Sequence, residues 1–202
     1  MQKNRKRRII SAKECKHDLD EHLSILFNAV EQGIDNYNDI LSLFPVQSRV
    51  RALEANVLNS KIIESVQQNF PEHWKFGKFK RFILRIEGYN ILFKKLNNKD
   101  LPMNVRTKHV EAIEYQYQTS LFDDSSFSDS IEPIVFLGYK KDKWGTIYDP
   151  KLVYIDEGEI KWTISCSEAA SEKVIPINPL SINPPQISIR ADKVQKGTKK
   201  SM

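Results

Sequence analysis

Trp74, Phe76, Phe79 and Phe82 interleave with Lys75, Lys78, Lys80 and Arg81. Cationic heads neutralise phosphates and aromatic faces stack on unpaired bases, and single-stranded nucleic acid binding uses that combination. The competing account makes Phe82 core, packs Trp74 and Phe79 against helices, and leaves the lysines solvated. A second constellation is Cys15, Asp18 and His22, spaced to share one helix face where a metal could use them. Cys15 also lies on a stripe with Leu19 and Leu26, and no second ligand pair accompanies it, so a small buried apolar residue is the preferred reading. The seven glycines are scattered singly, so there is no phosphate-cradling loop. No Gly-x-Ser-x-Gly elbow occurs, and no spacing singles out a Cys-His pair among Cys15, Cys166 and the four histidines. Neither a cofactor nor a metal is expected.

Glu159-Ile160-Lys161 is an acidic-x-Lys tripeptide on an expected strand, with Asp156 across a turn. In metal-dependent nucleases such acids hold Mg²⁺ and the lysine steadies the attacking water. Asp156, Glu159 and Lys161 are therefore the catalytic alternative. The plainer account is an acidic turn in solvent with Lys161 as counter-charge. Asp149 is excluded from that set, because at about 3.3 Å per residue it lies roughly 20 Å from Glu159 along the hairpin. Gln118-Thr119-Ser120-Leu121-Phe122 resembles the bacterial sliding-clamp-binding peptide. That resemblance implies that Leu121 and Phe122 enter an apolar pocket on the clamp and Gln118 hydrogen-bonds at its edge. Against it, Ile113, Tyr117 and Leu121 continue one helical stripe, which makes Leu121 and Phe122 core residues at a helix end.

Helices, then strands, must position these groups. Ser11-Ala12-Lys13-Glu14 is a capping box, and Cys15, Leu19, Leu23, Leu26 and Val30 follow on one helical face. Gly33 is expected to stop that helix. A short helix over Tyr37 to Phe44 ends before Pro45. A longer one follows, striped by Val46, Val50, Leu53 and Val57 and stopping before Pro71. The period then changes. Arg81 to Ile86 and Tyr89 to Lys95 flank Glu87-Gly88, a two-residue hairpin turn. The implied register puts Phe82, Leu84 and Ile86 opposite Phe93, Ile91 and Tyr89 on one apolar face. Arg81, Arg85 and Lys94 share the other face. A helix is expected over 106–120, an acidic serine-rich loop over 123–132, and a strand from Ile134 to Lys140. A second Glu-Gly hairpin is expected at Glu157-Gly158, with Ile155 facing Ile160 and Val153 facing Trp162.

The charge map is lopsided. Residues 1–17 set seven bases against Glu14, 73–100 set eight against Glu87 and Asp100, and 186–202 set five against Asp192. The formal charge of +5 is thus the residue of three basic segments and an acidic remainder. Phosphate-contact candidates are Lys80, Arg81, Arg85 and Lys94 in the hairpin and Arg5, Arg7 and Arg8 in the N-terminal segment. The 202 residues are 40% hydrophobic and 28% charged, which excludes wholesale disorder. No apolar run approaches the ~20 residues of a membrane span. Met1 to Ile10 lacks the apolar stretch of a secretory signal. Two cysteines fit a reducing, cytoplasmic setting. The expected fold is α+β: a helical layer over 11–70 on an antiparallel sheet of about five strands, within a domain over 11–172. Residues 1–10 and the Pro-rich, then basic, 173–202 are expected as tails. The expected function is a non-enzymatic accessory protein near DNA or RNA, with a sliding clamp as a further partner. The alternatives are the nuclease above and a protein-interaction or inhibitor module without nucleic-acid contact.

Overall fold

The computed structural model describes residues 8–117, 121 and 132–170. Ser11 accepts from the Glu14 backbone N–H at 3.1 Å and starts α1, Ala12–Asp18. The helix breaks at Leu19 (φ −101°, ψ 8°) and resumes as α2, Asp20–Ser42. After a turn at Val46–Ser48 comes α3, Arg51–Asn69. The sheet follows: β1 Trp74–Phe76, β2 Phe82–Ile86, β3 Tyr89–Lys95, β4 Ile134–Lys141, β5 Ile147–Asp156 and β6 Glu159–Ser165. A short helix α4, Lys108–Glu114, lies in the connection from β3 to β4, and α5, Cys166–Ala170, follows β6.

The six strands are ordered β1 to β6 as in the chain. The α+β class is as expected, with N-terminal helices α2 and α3 packed on each other beside the sheet. Two details differ. Among the described residues there are six strands rather than about five, because Trp74–Phe76 adds an edge strand on β2. The pair β3–β4 is parallel, with Asn90 level with Ile134 and Lys95 level with Tyr139, while every other pair is antiparallel. A parallel neighbour cannot be reached by a tight turn, so the chain from 96 to 133 must cross over the sheet.

That crossover creates a second core. On one sheet face Phe82, Leu84, Ile91, Leu137 and Tyr154 pack with Leu23, Phe27, Val30 and Leu58 of the helices. On the other, Ile83, Leu92, Phe136, Val153 and Ile155 pack under Ile113 and Leu121 of the crossover. Fully burying one such aliphatic or aromatic side chain is worth about 1.5–3 kcal/mol, so each layer contributes several-fold more than any surface ion pair.

Local expectations fare unevenly. The first hairpin has the expected register, Leu84 with Ile91 and Ile86 with Tyr89. Both Glu-Gly turns hold positive φ at both central residues (47° and 76°; 55° and 75°), the conformation that two-residue hairpins favour. In the second hairpin Ile155 pairs with Ile160, but Trp162 sits opposite Tyr154 rather than Val153. Lys161 is the extra residue there, a bulge that shifts the register by one. Gly33 does not end a helix. It lies inside α2, where an added Cβ would come within 2.7 Å of the Ile62 Cα. Its lack of a side chain lets α3 approach. Val46 and Val50 are exposed, and the buried stripe of α3 is Leu58, Ile62, Ser65 and Val66. Of the helix expected over 106–120, the described residues form only α4, which stops at Glu114, and Gln116 takes a left-handed φ of 61°. The Gln116 amide is buried, donating to the Ile134 and Ile155 carbonyls and accepting from the Ile134 N–H.

Candidate nucleic-acid interface

Arg81 immediately precedes β2 and Lys94 lies near the end of β3, on the strand pair whose register the sequence predicts. Both belong to the face that carries Ile83 and Leu92, so their stems cross the second core. There they line a narrow crevice with Leu92, Ile113 and Phe136. Both also line a recess of about 250 Å³ together with Ile63, Phe82, Leu92 and Phe93. Apolar stems with polar heads at the edge are the ordinary use of long cationic side chains. The charges are less ordinary. Among the described residues no acid pairs with either head, and Arg81 Nη1 is buried without a hydrogen-bond partner. Burial holds the Lys94 ammonium below the usual lysine range, and repulsion from Arg81 lowers it further. Burial alone does the same to Arg81. Two half-buried cations that repel each other are stabilised by an anion between them.

The segment before β2 adds an aromatic. Gly77 N–H donates to the Arg81 carbonyl at 2.8 Å, closing a turn. Lys78 N–H donates to the Leu121 carbonyl at 2.8 Å, pinning that turn to the crossover. A Cβ at position 77 would collide with the same Leu121 carbonyl, so only glycine fits. Phe79 (φ 56°, ψ 33°) and Lys80 (φ 54°) are consecutive left-handed residues. For non-glycine residues that conformation costs about 1–2 kcal/mol each. The Phe79 ring is 78% exposed, and its centroid lies 5.4 Å from that of His109 in an edge-to-face arrangement. Lys80 beside it is exposed as well.

The other candidate phosphate contacts are distributed differently. Arg85 shares the expected face but donates from Nε to Glu132 at 2.7 Å, and its Nη2 is on the same oxygen. Glu132 is itself buried and also accepts from Asn90 at 3.1 Å, so the Arg85 charge is offset internally. Arg8 bonds Glu14 at 2.6 Å and Asp18 at 3.3 Å and lies over the Tyr89 ring. It fastens the N-terminal segment to the sheet, where the Tyr89 hydroxyl donates to Asp18 at 2.7 Å and Trp162 Nε1 donates to the Ile10 carbonyl at 2.8 Å. Arg5 and Arg7 lie outside the described residues.

Of the clamp-like peptide, Gln118 and Phe122 also lie outside the described residues. Leu121 is fully buried with Ile113 and Ile83 in the second core. The packing account of Leu121 is what its position matches; to enter a partner's pocket it would first have to leave this one. The nuclease alternative meets similar geometry. Asp156 pairs across the turn with Glu159 as expected. Asp156 is buried, however, while the Glu159 side chain is 78% exposed. Lys161 lies 3.2 Å from Glu159 as its counter-charge. Among the described residues no group of three His, Cys, Asp or Glu side chains converges as metal ligands. Cys15 in particular is buried, its thiol pushed up to about 12 by burial first and by Asp18 and Glu14 after that.

One charged cluster escaped the sequence reading. Lys140 Nζ lies 2.7 Å from Asp100 and 3.2 Å from Asp149, and Lys151 Nζ lies 2.7 Å from Asp149 and 3.3 Å from Asp100. A bulge at Asp149-Pro150, with Asp149 at φ 58°, turns the carboxylate into this ring and accommodates a proline within a strand. Alternating charges cancel there, which suits fastening the crossover to β4 and β5. Another concavity, about 1000 Å³ beside α1 and the start of α2, has walls of both signs, including Lys13, Lys16, Asp18 and Glu21. It therefore lacks the charge excess of the smaller recess. No family model, curated protein or solved structure matches the chain, so its reading rests on its own residues.

Proposed function

We propose that this chain binds a nucleic-acid strand through its phosphates, as a non-enzymatic accessory protein in a reducing, cytoplasmic setting. The observation that carries the reading is the Arg81–Lys94 pair: two half-buried cations at one recess, with no acid partner among the described residues. Lys80 adds an exposed charge at its rim. Arg85 and Arg8 are left out of the contact set, because carboxylates already engage them.

Salt sensitivity tests it. Each phosphate neutralised on a single strand contributes about −0.7 to the slope of log affinity against log salt. Three contacts give a slope near −2, a loss of roughly 16-fold between about 50 and 200 mM salt. Fluorescence anisotropy with a labelled oligonucleotide of about 12 nucleotides is expected to show that slope. Lys94→Met is expected to make it shallower by about 0.7, and Arg85→Met to leave it unchanged. Absence of binding at low salt would remove the reading.

A further inference from the structure

We infer that the strand bound at this recess is single, and that Phe79 is its base-stacking platform, with one phosphate held by Arg81 and Lys94. The inference rests on the phosphate-binding reading and adds the class of strand.

Three features point the same way. The Phe79 ring contributes little to either core, being 78% exposed, yet the backbone holds it there in a left-handed conformation. A polar residue or glycine would satisfy such a turn at lower cost, so the ring needs a reason to be there. An edge-to-face contact with His109, centroids 5.4 Å apart, steadies the ring while a large part of it stays open to solvent. Aromatic and cations also line the same recess, Phe79 with Lys80, Arg81 and Lys94. Its volume, about 250 Å³, is on the scale of a single nucleotide and too small for a base pair with both its backbones. Ile63, Phe82 and Phe93 give the lining apolar members and Asn59 a polar one, the two kinds of surface that a base presents.

A duplex gains nothing from this arrangement, because its bases already stack on each other. An unpaired base gains about 1–3 kcal/mol from an aromatic face, and any base can do so, since each has a π-face.

The test compares a 12-nucleotide oligo(dT) with the same length of dA·dT duplex, by anisotropy on the full chain at low salt. The single strand is expected to bind at least about 10-fold more tightly. Phe79→Ala is expected to lower single-strand affinity by about 5- to 100-fold and leave duplex affinity unchanged. Phe79→Trp is expected to retain binding, with added indole fluorescence that oligo(dT) quenches. Because Phe79 is exposed, an unaltered circular dichroism spectrum is expected for both variants and separates lost stacking from lost folding. Equal affinity for duplex and single strand, or Phe79→Ala binding oligo(dT) like the wild type, would overturn the inference and leave phosphate binding standing. Failure of both nucleic acids to bind the wild type would remove the phosphate reading together with it.

Discussion

Lys94 shows how one residue can be poor for the fold and useful for a ligand. Burial and the neighbouring Arg81 both disfavour its charge, so its folded value lies below the ordinary 10.5. The unfolded chain therefore holds the proton more tightly than the folded one. Below the folded value the charged ammonium costs stability. As pH rises through that value toward 10.5 the penalty is relieved. Lys94→Met is accordingly expected to raise the melting temperature at neutral pH while weakening oligonucleotide binding. The gap between variant and wild type should narrow as pH climbs into the alkaline range. A variant that lost stability and kept its affinity would show that the ammonium is a structural group. Arg85 makes the opposite case: it lies on the same face, but Glu132 holds it, and its charge serves the fold.

At the scale of elements, backbone approaches at two glycines let neighbouring segments come together. Gly33 admits Ile62, and α2 and α3 pack along their length around that crossing. Gly33→Ala would gain about 1 kcal/mol of helix propensity. Against this stands an overpacking cost of about 1–3 kcal/mol, and more when the obstacle is backbone that cannot rotate away. A net fall in melting temperature is expected, measured by thermal unfolding followed at 222 nm. A neutral or stabilising result would mean that the helices can part without loss. Gly77 does the same for the crossover, letting the Leu121 carbonyl sit against the turn that carries Phe79. The displayed ring and the second core are thus parts of one packing arrangement.

For the whole molecule, the sheet is covered on both faces, and the crossover is held by charge as well as by apolar contact. Burial opposes ionisation of Asp100, but the attraction of the Lys140 and Lys151 ammonium groups outweighs it, so its value falls below the ordinary 3.8. The stabilisation is complete above 3.8 and is lost as pH falls through the lower folded value. Asp100→Asn keeps the shape and tolerates the left-handed φ of 59°, so it isolates the charge. It is expected to cost about 1–2 kcal/mol at neutral pH, since the ring is only partly buried. The difference from wild type should vanish under acid, as read by unfolding in urea at a series of pH values. No helix among the described residues is long and apolar enough to cross a membrane.

The sequence by itself determined what depends on near neighbours. The Ser11 cap, the Leu23–Val30 helical face and both Glu-Gly turns were legible. So was the first hairpin register, and with it the placement of Arg81 and Lys94 on one face. Each follows from spacing within a few residues, where backbone geometry leaves few choices. Tertiary structure alone decided the parallel β3–β4 pairing, the passage of α2 through Gly33, the burial of Leu121 and the Asp100 charge ring. It also decided which bases are offset: Arg85 meets Glu132 across 47 residues of chain, and no periodicity encodes such a meeting. Local sequence sets which face a side chain shares. Only packing sets what stands opposite it, because partner choice depends on the burial and charge of the whole assembled layer.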